Sequence, residues 1–461
     1  MTTPERFGLS RSNTRQRPFR RPIPAPLRII GGLALMIVIG TLLLLLPGVS
    51  TGERLTLMQA AFTATSALSV TGLSIITPAT DLTLFGQIIL LLLIQFGGVG
   101  FMVTATVAFW VLGRRVSLPQ RLALSDSLGL IMPGAILTLT RQVMLTVLAI
   151  EGMGALLLWL HWRNELGPQR AIFYAIFHAV SAFCNAGFDL FGGLPDYPQG
   201  IPNDNLTLTL LAALIFIGGL GIPVLADLLT YHTGRRISLH TRLTLMVVVS
   251  LNCAGGLAIF LADQGEGRIL HAEPWYRQLL LAFFQAISTR TAGFAGIQPL
   301  DAISPASELV IVTLMFIGAA PASMGGGITT GTFIVLTLAL WAYAQGLPTA
   351  QIGGRKIASD MVRKASAVLT IALLVVLLAT WLILMTNPTA PLNLVVFEVV
   401  SAFATCGLTL AFTSELNTFG QLVIMLMMFW GRLGALTIIL GLAQLSHKQL
   451  YEYPEEQILI G

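Results

Sequence analysis

The chain has 461 residues, of which 55% are hydrophobic and only 10% charged, whereas soluble domains carry about a quarter charged residues. That balance excludes a set of soluble domains, and the formal charge of +5 is a topology signal rather than a nucleic-acid footprint. Cys184, Cys253 and Cys406 all lie in or beside apolar segments, so no disulfide framework is indicated.

Residues 1–28 form an arginine- and proline-rich arm (Arg15, Arg17, Arg20, Arg21, Pro22, Pro24, Pro26) with the composition of a disordered segment. The first charge-free stretch, Ile30 to Leu46, shows no small-residue cleavage site and is followed by more of its kind, so it reads as a span rather than a signal peptide. Leu82 to Gly113 is also free of charge, against the roughly 20 apolar residues that a spanning helix needs. Lysine and arginine concentrate before Arg28, between Arg114 and Arg141, between Arg235 and Arg242, between Arg355 and Lys364, and at Lys448. The positive-inside rule places those segments and both termini in the cytoplasm.

An internal repeat organises the spans. Four segments align on a glycine: Ser66 to Gly72, Ser181 to Gly187, Ser288 to Gly293 and Ser401 to Gly407. The successive intervals between Gly72, Gly187, Gly293 and Gly407 are 115, 106 and 114 residues, and the serine stands six residues ahead, or five in the third copy. A second pattern follows each: Phe96-Gly97-Gly98, Phe216-Ile217-Gly218-Gly219, Phe316-Ile317-Gly318 and Phe429-Trp430-Gly431. The helix ahead of each glycine is too short to span: Leu57 to Ser69 rises roughly 18 Å against a hydrocarbon core of about 30 Å. It must enter and turn back, and irregular backbone at membrane depth survives only where protein or water satisfies it.

The fold expected is therefore an all-α polytopic membrane protein. It has four helix–pore-loop–helix repeats, with eight spanning helices and four re-entrant pore helices around one pseudo-fourfold, potassium-channel-like pore. The expected boundaries are 29–116, 117–237, 238–350 and 351–447 for the repeats and 448–461 for a cytoplasmic tail. A dehydrated cation needs oxygens on several sides, which backbone carbonyls supply without fixed charge. The candidate ion-binding residues are Val70, Thr71 and Gly72; Asn185, Ala186 and Gly187; Thr291, Ala292 and Gly293; and Thr405, Cys406 and Gly407. The bland alternative, four small residues for helix packing, does not account for their common register.

No charge occurs between Glu308 and Arg355, and the middle of that run holds Gly318, Pro321, Ser323, Gly325, Gly326 and Gly327. Proline and consecutive glycines break a helix there, at about 318–328, and broken helices at this depth line permeation paths. Arg432 lies at equivalent depth in the last helix, where a charge needs compensation. It either bonds the carbonyls of the broken loop as part of a gate or pairs with an acid such as Asp227 or Glu151. Arg290, inside the third loop, is expected to form a structural pair with Glu398, read as the start of the fourth pore helix. Glu151 and Asn252, each ten residues after Arg141 and Arg242, occupy matching places that helix packing explains as well as transport. His178 has no second histidine at ligand spacing, no nucleotide motif is present, and nothing points to an enzyme.

Ser288-Thr289-Arg290-Thr291-Ala292-Gly293-Phe294 and Tyr453-Pro454-Glu455-Glu456-Gln457-Ile458-Leu459-Ile460-Gly461 carry a family likeness. The chain resembles the Trk/Ktr/HKT superfamily of potassium transporters, most closely its KtrB-type membrane subunits, over nearly its whole length. That resemblance implies a filter of the four loop glycines, with Gly72 going with potassium over sodium. It also implies an intramembrane gating loop at 318–328, a bacterial cytoplasmic membrane location, a homodimer with one pore per protomer, and a KtrA-type cytosolic nucleotide-binding ring as partner. Nucleotide would act only through that partner, and sodium dependence is left open. Departures from the family pattern are Ala404, Cys406 and Thr329. A sodium channel or cation–proton symporter on the same scaffold is the alternative.

Overall fold

The structure is a computed structural model of the chain and describes residues 25–99, 136–231 and 237–434. The arm before residue 25, the segment 100–135 and the tail with Lys448, Glu452, Glu455 and Glu456 lie outside the described residues. In chain order the helices are α1 Ala25–Leu44, α2 Leu57–Ser69 and α3 Leu84–Val99, then α4 Ile136–Trp162, α5 Pro168–Phe183, α6 Asn205–Gly219 and α7 Ile222–Thr230. They continue with α8 Leu239–Asp263, α9 Trp275–Thr289, α10 Pro305–Ile317 and α11 Thr330–Ala344. After a two-residue hairpin (Gln351–Ile352 with Arg355–Lys356) come α12 Ser359–Thr386, α13 Leu392–Phe403 and α14 Thr418–Leu433.

Arg141–Trp162, Leu239–Asp263 and Ser359–Thr386 are long and apolar enough to cross a bilayer. Their outward sides are apolar as well: Leu374, Leu377, Trp381 and Met385 on α12 are each more than half exposed. A continuous apolar belt of that kind is what a surface facing lipid looks like. The short helices begin at defined caps. Thr56 and Gln59 form a reciprocal capping box at α2, while Asp204, Ser304 and Asn417 cap α6, α10 and α14 with their side chains.

Packing closes the helices into a circle. Helix α3 lies against α5, α6 against α9, α10 against α13, and α14 returns to α2. In three units the glycine of the Phe-Gly pattern sets the spacing to the short helix, whereas Gly318 meets the carbonyl of Gly326 instead. A methyl group built on Gly97 would lie 2.4 Å from the Leu68 carbonyl oxygen, on Gly218 1.9 Å from that of Phe183, and on Gly431 2.0 Å from that of Phe403. Only a residue without Cβ lets these helices touch the ends of α2, α5 and α13 so closely.

The sequence places one helix break, at 318–328, and the structure has a second. Helices α6 and α7 meet at 98° across Leu220 and Gly221. Gly221 takes φ +89, and Pro223, near the start of α7, has no N–H to continue the ladder of α6. The two breaks dock on each other: Ile222 N donates to Ala322 O at 3.1 Å, and Ala320 N to Gly219 O at 3.2 Å.

Candidate functional site

Each short helix ends in a loop that its serine holds. Thr71, Ala186 and Cys406 donate their N–H groups to the carbonyls of Ser66, Ser181 and Ser401 at 2.8, 2.7 and 2.9 Å, and Ala292 donates to Ser288 at 2.7 Å. Gly72, Gly187, Gly293 and Gly407 all adopt positive φ (93, 67, 73 and 91°). Two residues earlier, Val70, Asn185 and Thr405 are left-handed too, at 58, 59 and 49°, a conformation that costs a side-chain-bearing residue about 1–3 kcal/mol. Thr291 is not among them. Its loop is one residue shorter between serine and glycine, so it reaches the same place without that turn.

The four loops meet edge to edge. A methyl group on Gly72 would lie 2.4 Å from Ala186 O, on Gly187 2.3 Å from Ala292 O, on Gly293 2.2 Å from Cys406 O, and on Gly407 2.0 Å from Thr71 O. Each glycine therefore abuts the carbonyl before the next glycine, and the fourth closes on the first. The twelve residues singled out lie in these four loops, and the groups that meet between loops are backbone carbonyls. Among the described residues no group of three or more His, Cys, Asp or Glu side chains could hold a metal ion.

Beneath the ring the side chains differ. Asn185 is oriented so that its amide oxygen accepts from Thr291 Oγ1, and its nitrogen donates to Ala182 O at 2.9 Å and Ile215 O at 3.2 Å. The segment 318–328 packs directly under the third and fourth loops. A methyl group on Gly325 would strike Thr291 Cγ2 at 2.1 Å, and one on Gly326 would sit 2.8 Å from Thr405 Oγ1. Gly318 takes φ +73 and Gly327 φ +85, and the segment is pinned at its base by Ile328 N to Phe316 O and Thr330 N to Ala319 O. Pro321 turns toward the α6–α7 break, where its carbonyl lies 2.7 Å from a methyl built on Gly221. Ser323 Oγ accepts from Gly325 N at 3.4 Å.

Arg432 donates to the carbonyls of Met324 in this segment and of Gly97 and Gly98 at the end of α3, the last at 3.1 Å. Of the two readings of this arginine, bonding to loop carbonyls is the one seen; among the described residues it makes no ion pair. Glu151 instead accepts from Gln95 Nε2 at 3.2 Å, with Cys184 Sγ 3.7 Å from its other oxygen. The pairing of Arg290 with Glu398 is not observed. Arg290 turns down to donate twice to Gly318 O, at 3.2 and 2.8 Å, while Glu398 accepts from Thr409 Oγ1 at 2.8 Å and from Thr413 Oγ1. Glu398 also lies within α13, which begins at Leu392, so it faces the segment beyond Gly407 while Arg290 faces the segment below Gly293. The carbonyls of Gly97 and Gly98 were not singled out by sequence; their signal is the Phe96-Gly97-Gly98 pattern itself.

The family described as TrkH, cation transport protein, matches residues 33–451. The chain is 36% identical to "Ktr system potassium uptake protein B" of Bacillus subtilis over 433 residues, covering 93% of this chain and 95% of that one. It is 34% identical to "Potassium/sodium uptake protein NtpJ" of Enterococcus hirae, covering 95% of this chain and 97% of that one. Among solved structures, the potassium transporter TrkH of Vibrio parahaemolyticus superposes with a TM-score of 0.71 at 18% identity, covering 92% of this chain and 86% of that one.

Proposed function

Because the chain belongs to the TrkH cation transport protein family, an integral membrane family of transporters rather than enzymes, we propose that it carries potassium across the bacterial cytoplasmic membrane as the ion-translocating subunit of a Ktr-type system. The observation that carries this reading is the closed circle of four glycine loops, each abutting the carbonyl of the next. Val70 to Gly72, Asn185 to Gly187, Thr291 to Gly293 and Thr405 to Gly407 are its selectivity filter, with rings of carbonyl oxygen replacing the hydration shell of the ion. The segment 318–328 is its gate. Tucked under two of the four loops and latched by Arg432, it obstructs the path, and the guanidinium adds local repulsion for cations.

In this reading both termini are cytoplasmic, the subunit forms a homodimer, and a cytosolic nucleotide-binding ring of the KtrA type supplies regulation, so that nucleotide acts only through the partner. The names of the Bacillus relative and of the Enterococcus relative support potassium, and the latter also supports a role for sodium. The test is growth at low potassium of a bacterial strain lacking its own uptake systems, expressing this chain with and without such a partner, beside Gly72→Ser. Rescue by the wild type that is lost or becomes sodium-leaky in Gly72→Ser is the expected result. Well-expressed protein that neither rescues growth with a partner nor moves potassium in liposomes would return a sodium channel or cation–proton symporter to first place.

A further inference from the structure

Three residues before each loop serine, one turn along the same helix face, stands a polar side chain: Thr63, His178, Gln285 and Glu398. All four are fully buried, a costly place for polar atoms that lack partners. Three of them have partners, and the partners lie in equivalent places, just beyond the loop glycine. His178 Nε2 is 3.0 Å from Asp189 Oδ1 and 3.3 Å from Leu190 N, while its Nδ1 is 2.7 Å from Tyr174 O. Gln285 Oε1 accepts from Gly296 N at 3.0 Å and Ile297 N at 3.4 Å. Glu398 accepts from Thr409 and Thr413, two and six residues past Gly407.

The first unit lacks the tie. The hydroxyl of Thr63 finds no partner among the described residues. Beyond Gly72 the chain closes on itself instead, with Ser74 Oγ donating to Ile76 O at 2.7 Å. Threonine is two atoms shorter than glutamine or glutamate and does not reach across.

We propose that His178, Gln285 and Glu398 are positioning residues for ion selection, each tying the segment beyond its loop glycine to the short helix behind it, with Thr63 as the one untied position. The inference rests on reading the glycine ring as the filter. A ring held from behind on three of four sides resists contraction, and a ring that cannot contract coordinates a small dehydrated cation poorly while still fitting a larger one. Cutting a tie therefore admits sodium without removing any group that touches the ion.

Full-length protein in liposomes tests this through the ratio of sodium to potassium flux, a quantity that a merely structural loss does not move. Gln285→Met and Glu398→Met keep length and remove the acceptors; each is expected to raise the ratio by roughly three- to tenfold, the scale of one or two lost supporting hydrogen bonds. Gln285→Glu and Glu398→Gln, which retain an acceptor oxygen, are expected to recover most of the discrimination. Thr63→Val, which removes only an unpartnered hydroxyl, is expected to leave the ratio unchanged. Should a methionine variant fail to assemble, Glu398→Asp, too short to reach both threonines, reads the same quantity. An unchanged ratio in the tie variants, or a shift in Thr63→Val as large as theirs, overturns the proposal. Wild-type protein that moves no potassium overturns the filter reading instead, so the two failures are separable.

Discussion

The glycine ring and the layer beneath it are built on opposite plans. In the ring one device is used four times: a serine carbonyl holds the loop, a positive-φ glycine turns it, and a carbonyl of the neighbouring loop fills the space where a side chain would stand. Directly below, no two units agree. The end of α3 offers the carbonyls of Gly97 and Gly98, the second unit bends by 98°, the third contributes the folded segment 318–328, and the fourth contributes Arg432. On the proposed function, the contrast follows from what each layer would face. A centred point charge sees its surroundings equally from all sides, so the groups around it gain from being alike. An obstruction needs only one occupant, and its neighbours can be shaped as sockets for it.

Three experiments press on that contrast, from the largest expected effect on flux to the smallest. Gly407→Ala puts a methyl group 2.0 Å from Thr71 O at a φ of +91, a conflict worth several kcal/mol. Potassium flux in liposomes is expected to fall at least about tenfold, and normal flux would mean the ring is not the path. Arg432→Gln removes the cation and its bonds to Met324, Gly97 and Gly98 while leaving the ring intact. Flux without any partner is expected to rise by about fivefold, a shift of roughly 1 kcal/mol, with the sodium-to-potassium ratio unchanged. A changed ratio would show that the layers are not separable. The last comparison is a neighbouring pair. Gly218→Ala drives a methyl group to 1.9 Å from Phe183 O and is expected to cost about 1–3 kcal/mol, read as a lower melting temperature in detergent. Gly219→Ala meets nothing closer than 3.4 Å and is expected to stay within about 0.5 kcal/mol of wild type.

Sequence made the ring legible because its signal is local and repeated. Serine, glycine and the interval between them are properties of short stretches, and even the odd behaviour of Thr291 follows from Ser288 standing five residues ahead of Gly293 instead of six. The break between α6 and α7 carried its own marks, Gly218-Gly219-Leu220-Gly221 followed by Pro223. Those glycines read equally well as another copy of the Phe-Gly pattern, and one glycine costs a helix only about 1 kcal/mol. The misplaced partner of Arg290 has a different cause. Two buried charges of opposite sign invite pairing on paper, but which carbonyl or hydroxyl lies within reach is decided by how the chain folds back on itself over the next 11 to 28 residues. Helix α10 brings Gly318 O under Arg290, and the segment beyond Gly407 brings two threonines to Glu398. The polar residue three places ahead of each serine lies outside the aligned segments, and threonine, histidine, glutamine and glutamate share no name there, only a place.

The order in which the loops lean has a consequence of its own. Gly72 rests on the second loop, Gly187 on the third, Gly293 on the fourth and Gly407 on the first, so the ring overlaps like tiles laid in one rotational sense. A bulkier residue at Gly187 pushes on Ala292, whereas one at Gly72 pushes on Ala186. Damage is handed forward around the circle, and a compensating change belongs in the loop ahead of the lesion. Four loops of one chain, similar in shape, are for that reason not interchangeable: each has a fixed predecessor that it supports and a fixed successor on which it depends.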